Sequence, residues 1–150
     1  GIDIIATCTA IVNNIISFSI VEGGSTITQQ LAKNLYFTQE QKFTRKVAEL
    51  LVAFDLEKNY SKNGILELYI NTIYFGDGYY GIKEASNGYF GKEPDELTLD
   101  EITLLAGIPN APSVYSLSNS EELARQRQKR VIDAMIKYEY LDSEAANALP

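Results

Sequence analysis

The sequence predicts a mainly α domain. Apolar residues recur at three- and four-residue spacing along most of the chain. Thr and Gln or Glu stand three residues apart ahead of several of these runs, the pattern of a capping box. Neither repeats nor a low-complexity linker interrupt them, and 150 residues suffice for one core, so residues 1–150 are taken as a single domain.

The elements follow in order. A first helix starts after Asp3 as N-cap. Residues 16–24 are less regular and run into Gly23 and Gly24, with Phe18 and Ile20 either packed or exposed. Thr26 and Gln29 open a helix near 26–36, with Ile27, Leu31 and Leu35 as its buried stripe. Thr38 and Gln41 open another near 39–58, with Phe43, Val47, Leu50, Leu51 and Phe54 on one side. Its second half, Leu50 to Leu56, is apolar nearly all round, the mark of a central buried helix. Ser61 opens the next, burying Ile65, Leu66, Tyr69, Ile70 and Ile73. Gly76, Gly78 and Gly81 then break the pattern into a loop around Tyr79 and Tyr80. Thr98 and Glu101 cap a short helix that ends at Gly107 before Pro109. Pro109 to Ser120 is an extended connection, a basic helix covers 121–138, and a last short helix starts near Asp142.

Composition narrows the chemistry. A net charge of −7 argues against general nucleic-acid binding, which rests on phosphate neutralisation, and against broad attraction to anionic lipid. Cys8 is alone, so no internal disulfide forms. No His is present, which removes serine–histidine and zinc–histidine chemistry and leaves catalysis to carboxylates. The apolar stretch Ile2 to Ile20 is interrupted by Asp3, Thr7, Thr9, Asn13 and Asn14, and falls short of the roughly 20 apolar residues of a bilayer span. No signal peptide is visible, and the chain begins inside a helical pattern, as a piece of something longer would.

Two groups of polar residues stand out. Gln29, Gln30 and Lys33 lie off the apolar stripe of their helix. Amide donors and a point charge suit an anionic, hydroxyl-rich ligand such as a sugar phosphate, and a solvated face would look the same. Glu49 shares its helix side with Lys42, Arg45 and Lys46. The plain interpretation is an exposed ion-pair ladder worth a few tenths of a kcal/mol, although Arg ahead of Glu is the weaker order for one. Glu67, one turn before Asn71, suits a partner to a buried Arg or a helix end. Arg127 suits a tether to the core, and most of the tyrosines suit packing.

The motifs carry more. Gly23-Gly24-Ser25-Thr26-Ile27-Thr28-Gln29-Gln30-Leu31-Ala32-Lys33-Asn34 resembles the second signature of the peptidoglycan glycosyltransferase (transglycosylase) domain of class A penicillin-binding proteins and their monofunctional relatives. Arg45-Lys46-Val47-Ala48-Glu49 is similar to the family's R-K-x-x-E, and Ile65-Leu66-Glu67-Leu68-Tyr69-Ile70-Asn71 to its I-L-E-x-Y-L-N. Tyr89 to Lys92 and Leu105 to Pro109 resemble its connecting segments, and Arg127, Val131, Ile132 and Met135 its final helix.

The resemblance implies a lysozyme-like helical fold and the joining of lipid-linked disaccharide-peptide (lipid II) into glycan strands, with inversion at the sugar carbon and loss of undecaprenyl pyrophosphate. Glu49 maps onto the second essential glutamate, which helps the pyrophosphate depart. Lys33, Arg45 and Lys46 would form its cationic wall, and Ser25, Thr26, Gln29 and Gln30 would bind sugar and phosphate oxygens. The cofactor left open is a divalent cation, Mg or Mn, at the pyrophosphate. No metal site is assigned to residues. The partners implied are lipid II, the growing strand, the membrane surface and a C-terminal transpeptidase domain, at the extracytoplasmic face of a bacterial membrane, with moenomycin-type phosphoglycolipids as inhibitors. Residues 16–24 would be a mobile flap dipping toward the membrane.

Three departures qualify the match. The first signature, E-D-x-x-F-x-x-H-x-G, carries the general base, and Gly1 stands at or just after its end. Asp3 and Glu22 do not replace that base, so the sequence as it stands is expected to be inactive. Gln41 occupies a position that is often basic, with Lys42 adjacent, and Ser116-Leu117 replaces Asn-Pro in a connecting loop. Two alternatives stay open: a muramidase-type hydrolase on the same fold, and a non-catalytic module that grips lipid-linked sugar.

Overall fold

The computed structural model describes residues 25–36, 43–147 and 149, with 43–45 as backbone only. The expected helix after Asp3, the segment 16–24 and the Thr38–Gln41 box lie outside the described residues. So do Lys42 and the side chain of Arg45. The described chain is mainly α: α1 (Ile27–Tyr36), α2 (Phe43–Asn59), α3 (Lys62–Thr72), α4 (Ile82–Phe90), α5 (Leu99–Gly107), α6 (Pro112–Tyr115), α7 (Leu117–Lys137) and α8 (Ser143–Asn147). Among the described residues the extended pairing is a single antiparallel bridge between Tyr74 and Tyr80.

Short-range side-chain caps set several helix starts. Ser61 Oγ accepts the Gly64 N–H at 3.1 Å and opens α3. Thr98 and Glu101 close a full capping box at the start of α5. A carboxylate does the same work near the chain's end, where Asp142 Oδ1 accepts the Ala145 N–H at 2.6 Å ahead of α8. Helix α7 contains a kink at Ser120 (φ −161°, ψ 102°), whose Oγ accepts the Leu123 N–H at 3.2 Å. The expected helix start at 121 is therefore the second stretch of α7.

The packing forms one continuous core. α1 lies against α2 and α3, while α5 and α6 lie against α7. Leu31, Leu66, Tyr69, Ala85, Leu105, Ile108 and Met135 belong to the shared apolar cluster. Arg127 is buried on α7, and its stem fills the space over Gly107, where a Cβ would stand 2.9 Å from Arg127 Cγ. It thus tethers α7 to the end of α5, as expected. Two ion pairs hold α5, one to α7 and one to the residue following Gly91 after α4. Arg125 Nη1 reaches Asp100 Oδ1 at 2.7 Å, and Lys92 Nζ reaches Glu101 Oε1 at 2.7 Å.

The structure corrects the sequence in five places. Leu35 is not in the stripe of α1, which buries Ile27, Thr28, Leu31 and Ala32, while Leu35 is exposed. Helix α2 is not buried all round. It turns Glu49, Ala53 and Leu56 inward, at i, i+4 and i+7, and leaves Val47, Leu50, Leu51 and Phe54 exposed. The 109–120 connection is not extended. It holds a 3₁₀ turn at Ile108–Asn110 and then α6, because Pro109 and Pro112 pre-set helical φ at their first positions. Helix α4 is absent from the expected set. Its Ser, Asn and Gly residues have weak propensity, and Gly88 is there to admit the Tyr79 ring, since a Cβ would stand 2.2 Å from Tyr79 Cζ. Glu67 is exposed and has no side-chain partner among the described residues, so it serves neither a buried Arg nor a helix end.

The tyrosine loop is a brace. Tyr79 and Tyr89 meet edge to face at 5.0 Å, and Tyr89 Oη donates to the Phe75 carbonyl at 2.8 Å. Ser118 donates from both its backbone N–H and its hydroxyl to Asp77, which pins the loop to the start of α7. Those hydrogen bonds hold the Asp77 carboxyl below its usual range against a smaller opposing effect of burial.

Gly81 has φ +84°, and a Cβ there would stand 2.4 Å from the Asn71 carbonyl oxygen. Gly81→Ala should therefore cost roughly 2 kcal/mol or more in urea unfolding. A second prediction concerns pH. Burial pushes the Glu101 carboxyl up, but the Lys92 ammonium and the Thr98 donors outweigh it and hold the group below its ordinary 4.5. A depressed carboxylate stabilises the fold above its unfolded value and loses that contribution as pH falls through the folded one. The stability deficit of Lys92→Met should thus be full at neutral pH and shrink below about pH 4.5, read by denaturant titration across that range.

Candidate active site

The site is assembled where the start of α1 meets α2. Thr26 and Gln29 cap α1 reciprocally. The Thr26 N–H donates to Gln29 Oε1 at 3.3 Å, and the Gln29 N–H donates to Thr26 Oγ1 at 3.2 Å. This fixes Ser25 as the residue just outside the helix. Gln30 then bonds in two directions: Nε2 donates to the Ser25 carbonyl at 3.4 Å, and Oε1 accepts from Tyr69 Oη of α3 at 3.1 Å. Burial pushes the Tyr69 hydroxyl well above the usual phenol range, so it acts as a neutral donor.

Glu49 is the centre of the arrangement. It is 1% exposed and is the one buried carboxylate among the described residues. Lys46, three residues earlier on α2, donates from Nζ to Glu49 Oε2 at 3.1 Å and to Ser25 Oγ at 2.9 Å. The Lys46 side chain is 53% exposed, so its ammonium is anchored on a buried anion while remaining open to solvent. Burying a carboxylate costs several kcal/mol unless a charge and hydrogen bonds compensate it. An acid at the buried i position of an otherwise Ala- and Leu-lined stripe is a costly choice for mere packing, and such choices concentrate at functional sites.

The structure brings together Ser25, Lys46 and Glu49, with Thr26, Gln29 and Gln30 forming the adjoining helix start. Lys33 and Glu49 form no ion pair. Lys33 is exposed in the last turn of α1 and forms no ion pair with a described residue. Among the described residues, the cation on Glu49 is Lys46. The sequence did not single out Tyr69, and its signal was only a tyrosine at a core position, whose hydroxyl must find a partner when buried.

Among the described residues a divalent cation finds few oxygen ligands. Among the described residues no group of three or more acidic or thiol side chains gathers. The site offers one carboxylate, already carrying an ammonium, where Mg²⁺ asks for several oxygen ligands. What the arrangement can do is present a fixed ammonium, hydroxyl and amide donors to an anion at a partly dry surface.

The chain is similar to known proteins along most of its length. A family model described as "Transglycosylase" matches residues 1–136. The chain is 43% identical over 146 residues to penicillin-binding protein 1F of Bacillus subtilis, covering 97% of this chain and 20% of that protein. It is 46% identical over 144 residues to penicillin-binding protein 1A of Aquifex aeolicus, covering 96% and 20%. The crystal structure of penicillin-binding protein 1A from Haemophilus influenzae superposes with a TM-score of 0.52 at 29% identity, over 81% of this chain and 15% of that one. The chain thus spans about a fifth of the length of the curated relatives it matches. Its mainly α, lysozyme-like class is the one the sequence led to expect.

Replacing Lys46 by Met removes the ammonium from a buried carboxylate while keeping the apolar stem. The expected result is a loss of about 1–3 kcal/mol in chemical unfolding, larger than for Lys33→Met, which should stay within about 0.5 kcal/mol.

Proposed function

The chain belongs to the transglycosylase family, and from that premise we propose that it polymerises lipid-linked disaccharide-peptide into peptidoglycan strands as part of a longer protein. The observation that carries the assignment is the Lys46 ammonium held between Ser25 and the buried Glu49. When the sugar carbon is attacked, negative charge builds on the departing undecaprenyl pyrophosphate. A pre-oriented ammonium in a partly desolvated place stabilises that charge without reorganising.

In this account Lys46 faces the leaving pyrophosphate and Glu49 acts through it, fixing the ammonium's position. With Oε2 committed to Lys46, Glu49 belongs to the leaving-group side and is not the base for the attacking hydroxyl. Ser25, Thr26, Gln29 and Gln30 offer hydroxyl and amide contacts to sugar and phosphate oxygens. Arg45 and Lys33 extend the cationic wall. The longer protein would act at the extracytoplasmic face of a bacterial membrane, beside a transpeptidase domain, with the growing strand as second substrate. Among the described residues no helix is long and apolar enough to cross a membrane.

The hydrolase alternative is less well served. A muramidase-type enzyme uses a general acid against an apolar wall, whereas Glu49 carries an ammonium. A module that only grips lipid-linked sugar predicts binding without turnover.

The test uses the full-length protein with lipid II and follows glycan-strand formation. Lys46→Met and Glu49→Gln should each lower the rate by about 10²–10³-fold while lipid II is still bound. Normal rates in both variants would sink the assignment, and binding with no strand formation by the unaltered protein would favour the binding module.

A further inference from the structure

Helix α2 packs on α1 and α3 and buries Glu49, Ala53 and Leu56. On another side Val47, Leu50, Leu51 and Phe54 stand at i, i+3, i+4 and i+7, and are 49%, 41%, 65% and 64% exposed. One exposed apolar side chain needs no explanation, whereas four large ones in a single helical stripe mark a docking surface.

The sequence ahead of α1 holds a stripe that fits it. Ile4, Cys8, Ile11 and Ile15 fall at i, i+4, i+7 and i+11, with Ile5, Val12 and Ile16 beside them, while Asp3, Asn13 and Asn14 fall on the far side. Two apolar stripes of this helical spacing can pack along each other. The point where the stretch ends also fits. It runs into Gly24, and the next residue, Ser25, is bonded through its hydroxyl to Lys46, the neighbour of Val47. The linking residues 17–24 can reach at most roughly 29 Å. The α2 face from Val47 to Phe54 is only about 10 Å long, so all of it is within range. The family match begins at residue 1, which makes the stretch part of the same domain as α2.

We propose that residues 4–16 seat as a helix on the Val47, Leu50, Leu51 and Phe54 face of α2. Joined to the chain beside this face, the segment is present at an effective concentration of roughly millimolar order, which favours it over a second copy in dilute solution. Both stripes leave water together, and the helix that carries Lys46 and Glu49 is held from a second side. The seat follows from the two stripes and the family match, and is independent of the polymerisation reading.

Cys8 is the chain's one cysteine and reports on the seat directly. In the chain of residues 1–150, Cys8 should react with a maleimide at least about tenfold more slowly than in denaturant. Leu51→Asp and Phe54→Asp should each speed that reaction about tenfold or more at unchanged helix content by circular dichroism, and Leu123→Asp, at an exposed apolar position of α7, should not. A second measurement stands even where the aspartate variants unfold. Under mild oxidation Leu51→Cys or Phe54→Cys should form a disulfide with Cys8 within one chain, because facing Cα atoms come within about 4.4–6.8 Å, while Leu123→Cys should form none. The proposal is overturned by a Cys8 as reactive in the folded chain as in denaturant, or by protection that folded Leu51→Asp and Phe54→Asp variants retain. Disulfides formed only between chains, the sign of a second copy on this face, would overturn it equally, as would protection that appears only with phosphatidylglycerol vesicles.

Discussion

A single ammonium organises the joint between α1 and α2. Lys46 Nζ sits between Ser25 Oγ, just outside the first helix, and Glu49 Oε2, on the buried stripe of the second. Glu49 is a carboxylate taken out of water beside Ala53 and Leu56, a cost that a charge partner offsets and helix packing alone does not. With Lys46, the same residue becomes a fixed acceptor that decides where the ammonium stands. The pairing therefore serves two ends. It permits α2 to present Glu49, Ala53 and Leu56 to α1, and it leaves a positive charge anchored at the surface.

The surroundings restrict that charge's freedom. The Thr26–Gln29 box sets where α1 begins, and hence where Ser25 lies. Gln30 ties the same turn to α3 through the Tyr69 hydroxyl, which is buried and neutral. Three helices thus converge on one polar cluster, while at a distance Arg125–Asp100 joins α7 to α5 and Lys92–Glu101 joins the end of α4 to α5. Positioning by packed helices rather than by a loop is what a leaving-group site needs, because misplacement by about 1 Å is costly in rate.

Legibility followed the range of the interaction. The boxes at Thr26 and Thr98 and the cap at Ser61 were readable because donor and acceptor lie three residues apart. So was the Lys46–Glu49 pair in outline, as neighbours on a helix. The inward face of α2 was not. Counting apolar residues favours Val47, Leu50, Leu51 and Phe54, yet these are exposed, and the face chosen is the one with a small residue and a compensated acid. The placing of Lys33 relative to Glu49 was not legible for a related reason. Spacing within α1 fixes which way Lys33 points only relative to its own helix, and the contact with α2 is made through Ser25, 21 positions from Lys46.

The central claim is that Lys46 and Glu49 act as one unit in both stability and turnover. A double-mutant cycle of Lys46→Met and Glu49→Gln tests it most directly, measured for unfolding free energy and for glycan-strand formation by the full-length protein. The account predicts strong non-additivity in both, with a coupling of about 1 kcal/mol or more in unfolding and a double variant little slower than either single one. Additive effects in the two measurements would contradict it.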